Sequence, residues 1–232
     1  MKKTKKGFTL AEILVALGII GVVAAITIPT VANSINKAKI GPTLAKVIAQ
    51  IETGNKNIIN FANSQPEIAN SGAFFDRLSP IRTRYLKLPG ANTPIIESFQ
   101  NVVPPYWGID KIGNLNGITV RELDGDTDNT TATAVNGQNY YKFKDLPAEI
   151  VIIYDVVGID YNVLDNNSSS WTLNFLTIYV DINGWNTRPN TVGKDIFAFQ
   201  LQNNGLLTPL TDTDAGDYAQ QIINDGFKVT YY

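Results

Sequence analysis

The side chains able to do chemistry in this chain are carboxylates and amides. Among its 232 residues there is no histidine and no cysteine. That removes the commonest general base, the commonest zinc ligand and all thiol and disulfide chemistry. A Ser-His-Asp triad is impossible. No phosphate-binding glycine loop and no convincing carboxylate pair replaces it, so a non-enzymatic role is expected. Three groups of residues remain. Glu12 lies near the start of the longest apolar run, KGFTLAEILVALGIIGVVAAITIPTV at 6–31. Asp124, Asp126 and Asp128 have the opening spacing of a calcium loop, but no glycine stands at its sixth position, and Val135 occupies the place of the bidentate glutamate. A solvated turn is the expectation there. Asp181, Asn183 and Asp195 could gather oxygen donors at one end of a hairpin, and hard cations such as calcium prefer oxygen. Asx turns and loop caps use the same residue types, and they are the default reading.

The element that must position Glu12 is an apolar helix. From Phe8 to Ala32 the polar exceptions are Thr9, Glu12, Thr27 and Thr30. A membrane-spanning helix needs about 20 predominantly apolar residues, and this run supplies them. Lys2, Lys3, Lys5 and Lys6 precede it, which predicts a cytoplasmic N-terminus and places residues 33–232 on the far side. A secretory signal peptide cut after VAA at 23–25, a plain single-pass anchor and a buried soluble helix are the competing readings. None of them accounts for Glu12. A carboxylate at the centre of a span costs about 2.5–3.5 kcal/mol, less near its end, and such groups tend to be functional and partnered. Cleavage between Gly7 and Phe8 would make a partner. The new amine on Phe8 lies four residues before Glu12, and in a bundle of helices it can meet the carboxylate of a neighbouring subunit.

KKGFTLAEILVALGIIGVVAAITIP closely resembles the N-terminus of type IV prepilins and of the pseudopilins of type II secretion. Gly7, Phe8, Thr9, Leu10 and Glu12 match that pattern position by position, and Pro29 matches a proline often found in the helix. The resemblance covers about 25–30 residues. It implies a leader at 1–7, cleavage after Gly7 by a prepilin peptidase and N-methylation of Phe8. It implies an inner-membrane precursor that an assembly ATPase and its platform protein move into a periplasmic or cell-surface filament. Partners would then be further copies and related pilins, joined through Phe8 and Glu12. Pilus, secretion and DNA-uptake filaments all fit. A filament-borne adhesin or ligand-binding minor pilin is the alternative, with Trp107, Trp171, Trp185 and the tyrosines as a stacking surface.

The remainder reads as α+β. Ile35, Leu44, Val47, Ile48, Ile51, Ile58 and Ile59 mostly recur at spacings of three or four, so the helix should continue to about residue 62. The segments are therefore a leader at 1–7, a membrane or filament-core helix at 8–32, its amphipathic continuation at 33–62 and a head at 63–232. Pro29 and Pro42 should kink the helix, or Pro42 end it. Phe74, Phe75, Leu78 and Ile81 have helical spacing, and VVPPYWG at 102–108 reads as an extended surface turn. Strands are expected at 117–123, 148–158, 170–184 and 195–201, the last with one buried face. The stretch DGDTDNTTATAVNG reads as an exposed loop, NNG at 203–205 as a tight turn, and 216–224 as a short helix followed by a glycine stop and a final strand. An antiparallel sheet should pack on the long helix. Apart from the four leading lysines, 15 basic residues of the 19 face 21 acidic ones. The head therefore lacks the basic surface of a nucleic-acid-binding domain. The C-terminal region is similar to that of many bacterial proteins with prepilin-type N-termini. Some secretion pseudopilins hold calcium in a C-terminal loop, so calcium is the one cofactor considered.

Overall fold

A computed structural model describes residues 7–64, 103–153, 175–202 and 204–232. The expectations for Phe74, Phe75, Leu78, Ile81 and Trp171, and for the leading lysines, lie outside the described residues. The chain divides into two units, Met1–Lys39 and Ile40–Tyr232.

Helix α1 runs without interruption over Leu10–Asn63. Both prolines lie inside it, so Pro42 does not end it. In its first half the large apolar side chains face outward, from Leu10 through Leu14, Leu17, Ile20 and Ile26 to Ile35. The few hydroxyls there are satisfied within the helix. Thr27 donates to the Val23 carbonyl at 2.9 Å, Thr30 to Ile26 at 3.1 Å and Ser34 to Thr30 at 3.0 Å. This back-bonding lets polar residues sit in an apolar surrounding without an unmet donor.

In the second unit the rest of α1 lays its apolar stripe on a six-stranded antiparallel sheet. The strands are β1 (Ile109–Asn114), β3 (Asn139–Phe143), β4 (Glu149–Ile153), β5 (Phe175–Asp181), β7 (Ile196–Gln202) and β8 (Leu207–Pro209), in the order β1-β3-β4-β5-β7-β8. Two residues each of β2 (Val120–Arg121) and β6 (Asn190–Thr191) form a separate parallel pair. Leu44, Val47, Ile51 and Ile58 are fully buried in one cluster with Ile150, Ile178, Val180, Phe197 and Phe199. Ile35 stays half exposed, in the other unit.

Polar side chains of α1 fix its contacts. Asn55, 1 % exposed, accepts from the Trp107 indole at 2.8 Å and donates to the Gly205 carbonyl at 2.7 Å. Gln50 donates to the Trp107 carbonyl at 2.8 Å. Gly54 leaves room for this approach: a Cβ there would lie 2.6 Å from the Tyr106 carbonyl oxygen and from the Trp107 ring.

Several local expectations are corrected. Strand β7 is buried on both faces, with only Gln200 and Gln202 partly open. Ile196 and Ala198 join Val151, Tyr179, Trp185, Val120 and Val192 in a second cluster on the face away from α1. The alternation at 196–201 therefore separates two cores and not core from solvent. Residues 103–107 are helical, with Val103 and Trp107 buried, where an extended surface turn was expected. The prolines at 104 and 105 are compatible with a helix start, which needs few N–H donors. The strand expected at 117–123 shortens to β2. The loop at 124–137 contains helix α2 (Asn129–Val135), because Asp128 caps it and Thr131 and Val135 find the second core. Helix α3 (Asp214–Asn224) ends in a Schellman motif: Phe227 N–H donates to Ile222 at 2.7 Å and Gly226 N–H to Ile223 at 3.1 Å, with Gly226 at φ +65°. The final strand does not form. Residues 228–232 run irregularly, and Phe227 lies close to α1, where a Cβ on Gly41 would overlap its carbonyl oxygen.

Candidate functional site

The start of α1 is built by a capping box. Thr9 stands outside the helix and Glu12 at its third position. Glu12 N–H donates to Thr9 Oγ1 at 3.3 Å. In return Glu12 Oε2 accepts from the Thr9 backbone N–H at 2.7 Å and from its hydroxyl at 2.8 Å. The reciprocal pair meets two of the N–H groups that a helix start leaves open. The sequence carried this signal as T-x-x-E at 9–12, but reading Glu12 only as half of an ion pair passes over it. Glu12 is exposed, and its Oε1 accepts no hydrogen bond among the described residues. The cap therefore orients the carboxylate and leaves one oxygen for a second partner. Gly7 and Phe8 precede the helix as exposed, irregular chain, with open space around the Gly7 Cα.

The second group lies in the segment 181–195, which joins β5 to β7 at one end of the sheet. Asp181 is completely buried. Its Oδ1 accepts from the Asn183 N–H at 3.0 Å and the Gly184 N–H at 2.9 Å, the Asx turn expected of it. Asn183 Nδ2 donates to Asp195 Oδ1 at 3.2 Å, and Asp195 Oδ2 accepts from the Thr191 N–H at 3.2 Å. So the structure brings Asp181, Asn183 and Asp195 into one connected group. It adds two residues that sequence reasoning missed. Glu149 of β4 is paired with Asp181 across the sheet and accepts from the Trp185 N–H at 3.0 Å. Asn190, 1 % exposed, donates to the Trp185 carbonyl at 3.1 Å. Glu149 comes from another strand, and Asn190 is marked only by its bond to the Trp185 carbonyl, so spacing places neither. Burial pushes the Asp181 carboxyl up to about 8, helped by Asp195 and Glu149 and opposed by the two amides. Burial also raises Asp195 to about 6, against the Thr191 amide and the charge of Lys194.

The third group does not assemble. Asp124 Oδ1 accepts from the Asp126 N–H at 2.9 Å in an exposed turn, and Asp128 Oδ1 caps α2 through the Thr131 N–H at 2.9 Å. The Asp124–Asp126 bond is the solvated turn of the default reading, whereas Asp128 is buried and serves as a helix cap. The stacking surface loses two members, since Trp107 and Trp185 are fully buried. Among the described residues no three histidine, cysteine, aspartate or glutamate side chains are grouped to hold a metal ion.

No curated protein and no solved structure is similar enough to match the chain. The helix that starts at Leu10 is long and apolar enough to cross a membrane, consistent with an inner-membrane precursor. A family model described as the prokaryotic N-terminal methylation motif matches residues 2–28, the stretch that holds Gly7, Phe8, the capping box and the outward-facing apolar helix. That motif supports a pilin or pseudopilin subunit. Residues 2–28 are thus the prepilin-type cleavage and methylation motif of type IV pilins and pseudopilins.

Proposed function

We propose that the chain is a filament subunit, cut after Gly7, methylated on Phe8 and assembled through α1. The observation that carries this reading is the joint presence of the motif and an uncovered apolar helix. Phe8 is 84 % exposed, and the large side chains down to Ile35 are open as well. A surface of that kind needs lipid before assembly and neighbouring helices after it. In the filament the Phe8 amine of one subunit meets Glu12 of another. The pairing offsets the cost of placing either charge in the apolar core and sets the register between subunits. Prepilin peptidase, an assembly ATPase and its platform protein are the partners this pathway requires. The burial of Trp107 and Trp185 weighs against the adhesin alternative.

The absence of cysteine makes the test clean. A Leu10→Cys, Leu17→Cys double variant is co-expressed with the assembly machinery, and a bifunctional thiol reagent is added. A ladder of cross-linked species is expected. Monomer alone, with both thiols labelled by a monofunctional reagent, would contradict assembly through this helix.

A further inference from the structure

We propose that Asn116–Gly117 is a self-modification site, where the chain converts Asn116 to aspartate and isoaspartate without an enzyme and thereby loosens the turn at 115–118. Asn-Gly occurs four times in the sequence, at 116–117, 136–137, 183–184 and 204–205. Such a step is reactive because glycine carries no side chain to block the approach of its amide nitrogen to the preceding residue. Gly117 N attacks Asn116 Cγ and closes a cyclic imide. The amide proton passes to solvent base, and Asn116 Nδ2 leaves as ammonia. Water then opens the ring. Entry at the former side-chain carbonyl gives aspartate. Entry at the former main-chain carbonyl gives isoaspartate, with the chain now running through Cγ. In sum one water is consumed and one ammonia released, and no atom changes oxidation state.

The fold decides which of the four steps reacts. At three of them the attacking N–H is already engaged. Gly137 donates to the Leu115 carbonyl at 2.6 Å, Gly205 to the Gln202 carbonyl at 2.9 Å and Gly184 to Asp181 Oδ1 at 2.9 Å. Gly117 N–H donates no hydrogen bond among the described residues, and open space surrounds its Cα. The side chains divide in the same way. Asn136 is tied by both halves, accepting from the Ile118 N–H at 2.9 Å and donating to the Ile118 and Ala132 carbonyls at 2.9 and 2.7 Å. Asn183 donates to Asp195 at 3.2 Å, and Asn204 accepts from the Leu206 N–H at 3.0 Å. Asn116 is exposed, with only a long 3.5 Å contact from its Nδ2 to the Asn114 carbonyl. All four glycines have positive φ, so backbone conformation does not separate them. The products differ in effect. Leu115 and Ile118 are both buried in the second core. Leu115 N–H is held by the Gln138 carbonyl at 2.8 Å and Ile118 N–H by Asn136 Oδ1 at 2.9 Å. Isoaspartate inserts an extra carbon into the main chain between these two fixed points, whereas aspartate adds only a charge at an exposed position.

The test uses the full chain in detergent micelles, aged at neutral and at mildly alkaline pH, with a second portion aged in denaturant. Both are digested at acid pH to halt the reaction. Mass spectrometry reads the gain of an amide-to-acid change at each asparagine, and isoaspartyl methyltransferase labelling reads isoaspartate. In the folded chain Asn116 should convert at least about fivefold faster than Asn136, Asn183 or Asn204, since each of those steps must first break a hydrogen bond that slows it by about that factor. The rate should rise with pH, because attack requires the deprotonated amide nitrogen. In denaturant the advantage of Asn116 should disappear. Asn116→Gln should abolish conversion at that position. Asn116→Asp should melt with the parent chain, and the isoaspartyl fraction isolated from aged protein should melt roughly 2–4 °C lower. Overturning results are a folded chain in which any of the other three asparagines converts as fast as Asn116, an Asn116 that converts only in denaturant, or an isoaspartyl fraction that melts with the parent.

Discussion

Replacing Glu12 by glutamine separates the capping role of that side chain from the intersubunit pairing proposed for it. Its Oε2 takes hydrogen bonds of 2.7 and 2.8 Å from Thr9. A glutamine carbonyl oxygen can take the same bonds, so the capping box survives and the start of α1 should change by under about 0.5 kcal/mol. Alanine removes the bonds as well, at about 0.5–2 kcal/mol. Insertion into the bilayer should not suffer in the glutamine variant, since a charge near the end of a span has gone. Assembly should suffer. Removing one partner of a buried ion pair costs about 3–5 kcal/mol, and each 1.4 kcal/mol is tenfold in an equilibrium constant, so incorporation should fall by about 10²-fold or more. Thr9→Val is the complement: it removes the hydroxyl and keeps the charge, and should lower incorporation less than tenfold. The assay is the ratio of sedimentable filament to membrane-held subunit in cells carrying the assembly machinery. The reasoning fails if Glu12→Gln assembles like the parent chain, or if Thr9→Val is equally defective, since the cap and not the charge would then control assembly.

Two further outcomes test the body. Asn55→Ala removes buried bonds to the Trp107 indole and the Gly205 carbonyl, each worth about 1–3 kcal/mol when a buried group is left unmet. Thermal melting should show a loss of about 2–6 kcal/mol, and a loss below about 1 would mean that neighbouring groups or water replace both bonds. Asp128→Ala should cost about 0.5–2 kcal/mol as a lost helix cap, whereas Asp124→Ala, in the exposed turn, should stay within about 0.5; equal effects at the two sites would remove the distinction drawn between them.

The parts of the molecule legible in the sequence are those dictated by local pattern. Leu44, Val47, Ile51 and Ile58 recur at helical spacing and are fully buried on one side of α1. The stop at Gly226 followed from its freedom to take φ +65°. Less legible were features set by distant residues. The helical turn at 103–107 depends on Gly54 and Asn55, some fifty positions earlier, which receive Trp107. Likewise, the burial of both faces of β7 depends on Trp185, Val120 and Val192 arriving over the sheet, and alternation within one strand cannot report what covers each face. At the acidic segment the sequence indicated Asp181, Asn183 and Asp195. Glu149 and Asn190 became visible once the register of β4 on β5 and the bonds of Trp185 were known. The tail at 228–232 has the β-branched and aromatic residues of a strand, yet it follows a chain reversal at Gly226 and Phe227, both at positive φ, and among the described residues no strand forms a ladder with it.

The central claim is that residues 2–28 are processed as a prepilin N-terminus. Mass spectrometry of the chain from its native membrane or filament tests this most directly. The account predicts a mature protein beginning at Phe8, its amine carrying one methyl group. A chain that retains Met1, or that begins near Ala25 as a secretory signal would leave it, would contradict the account.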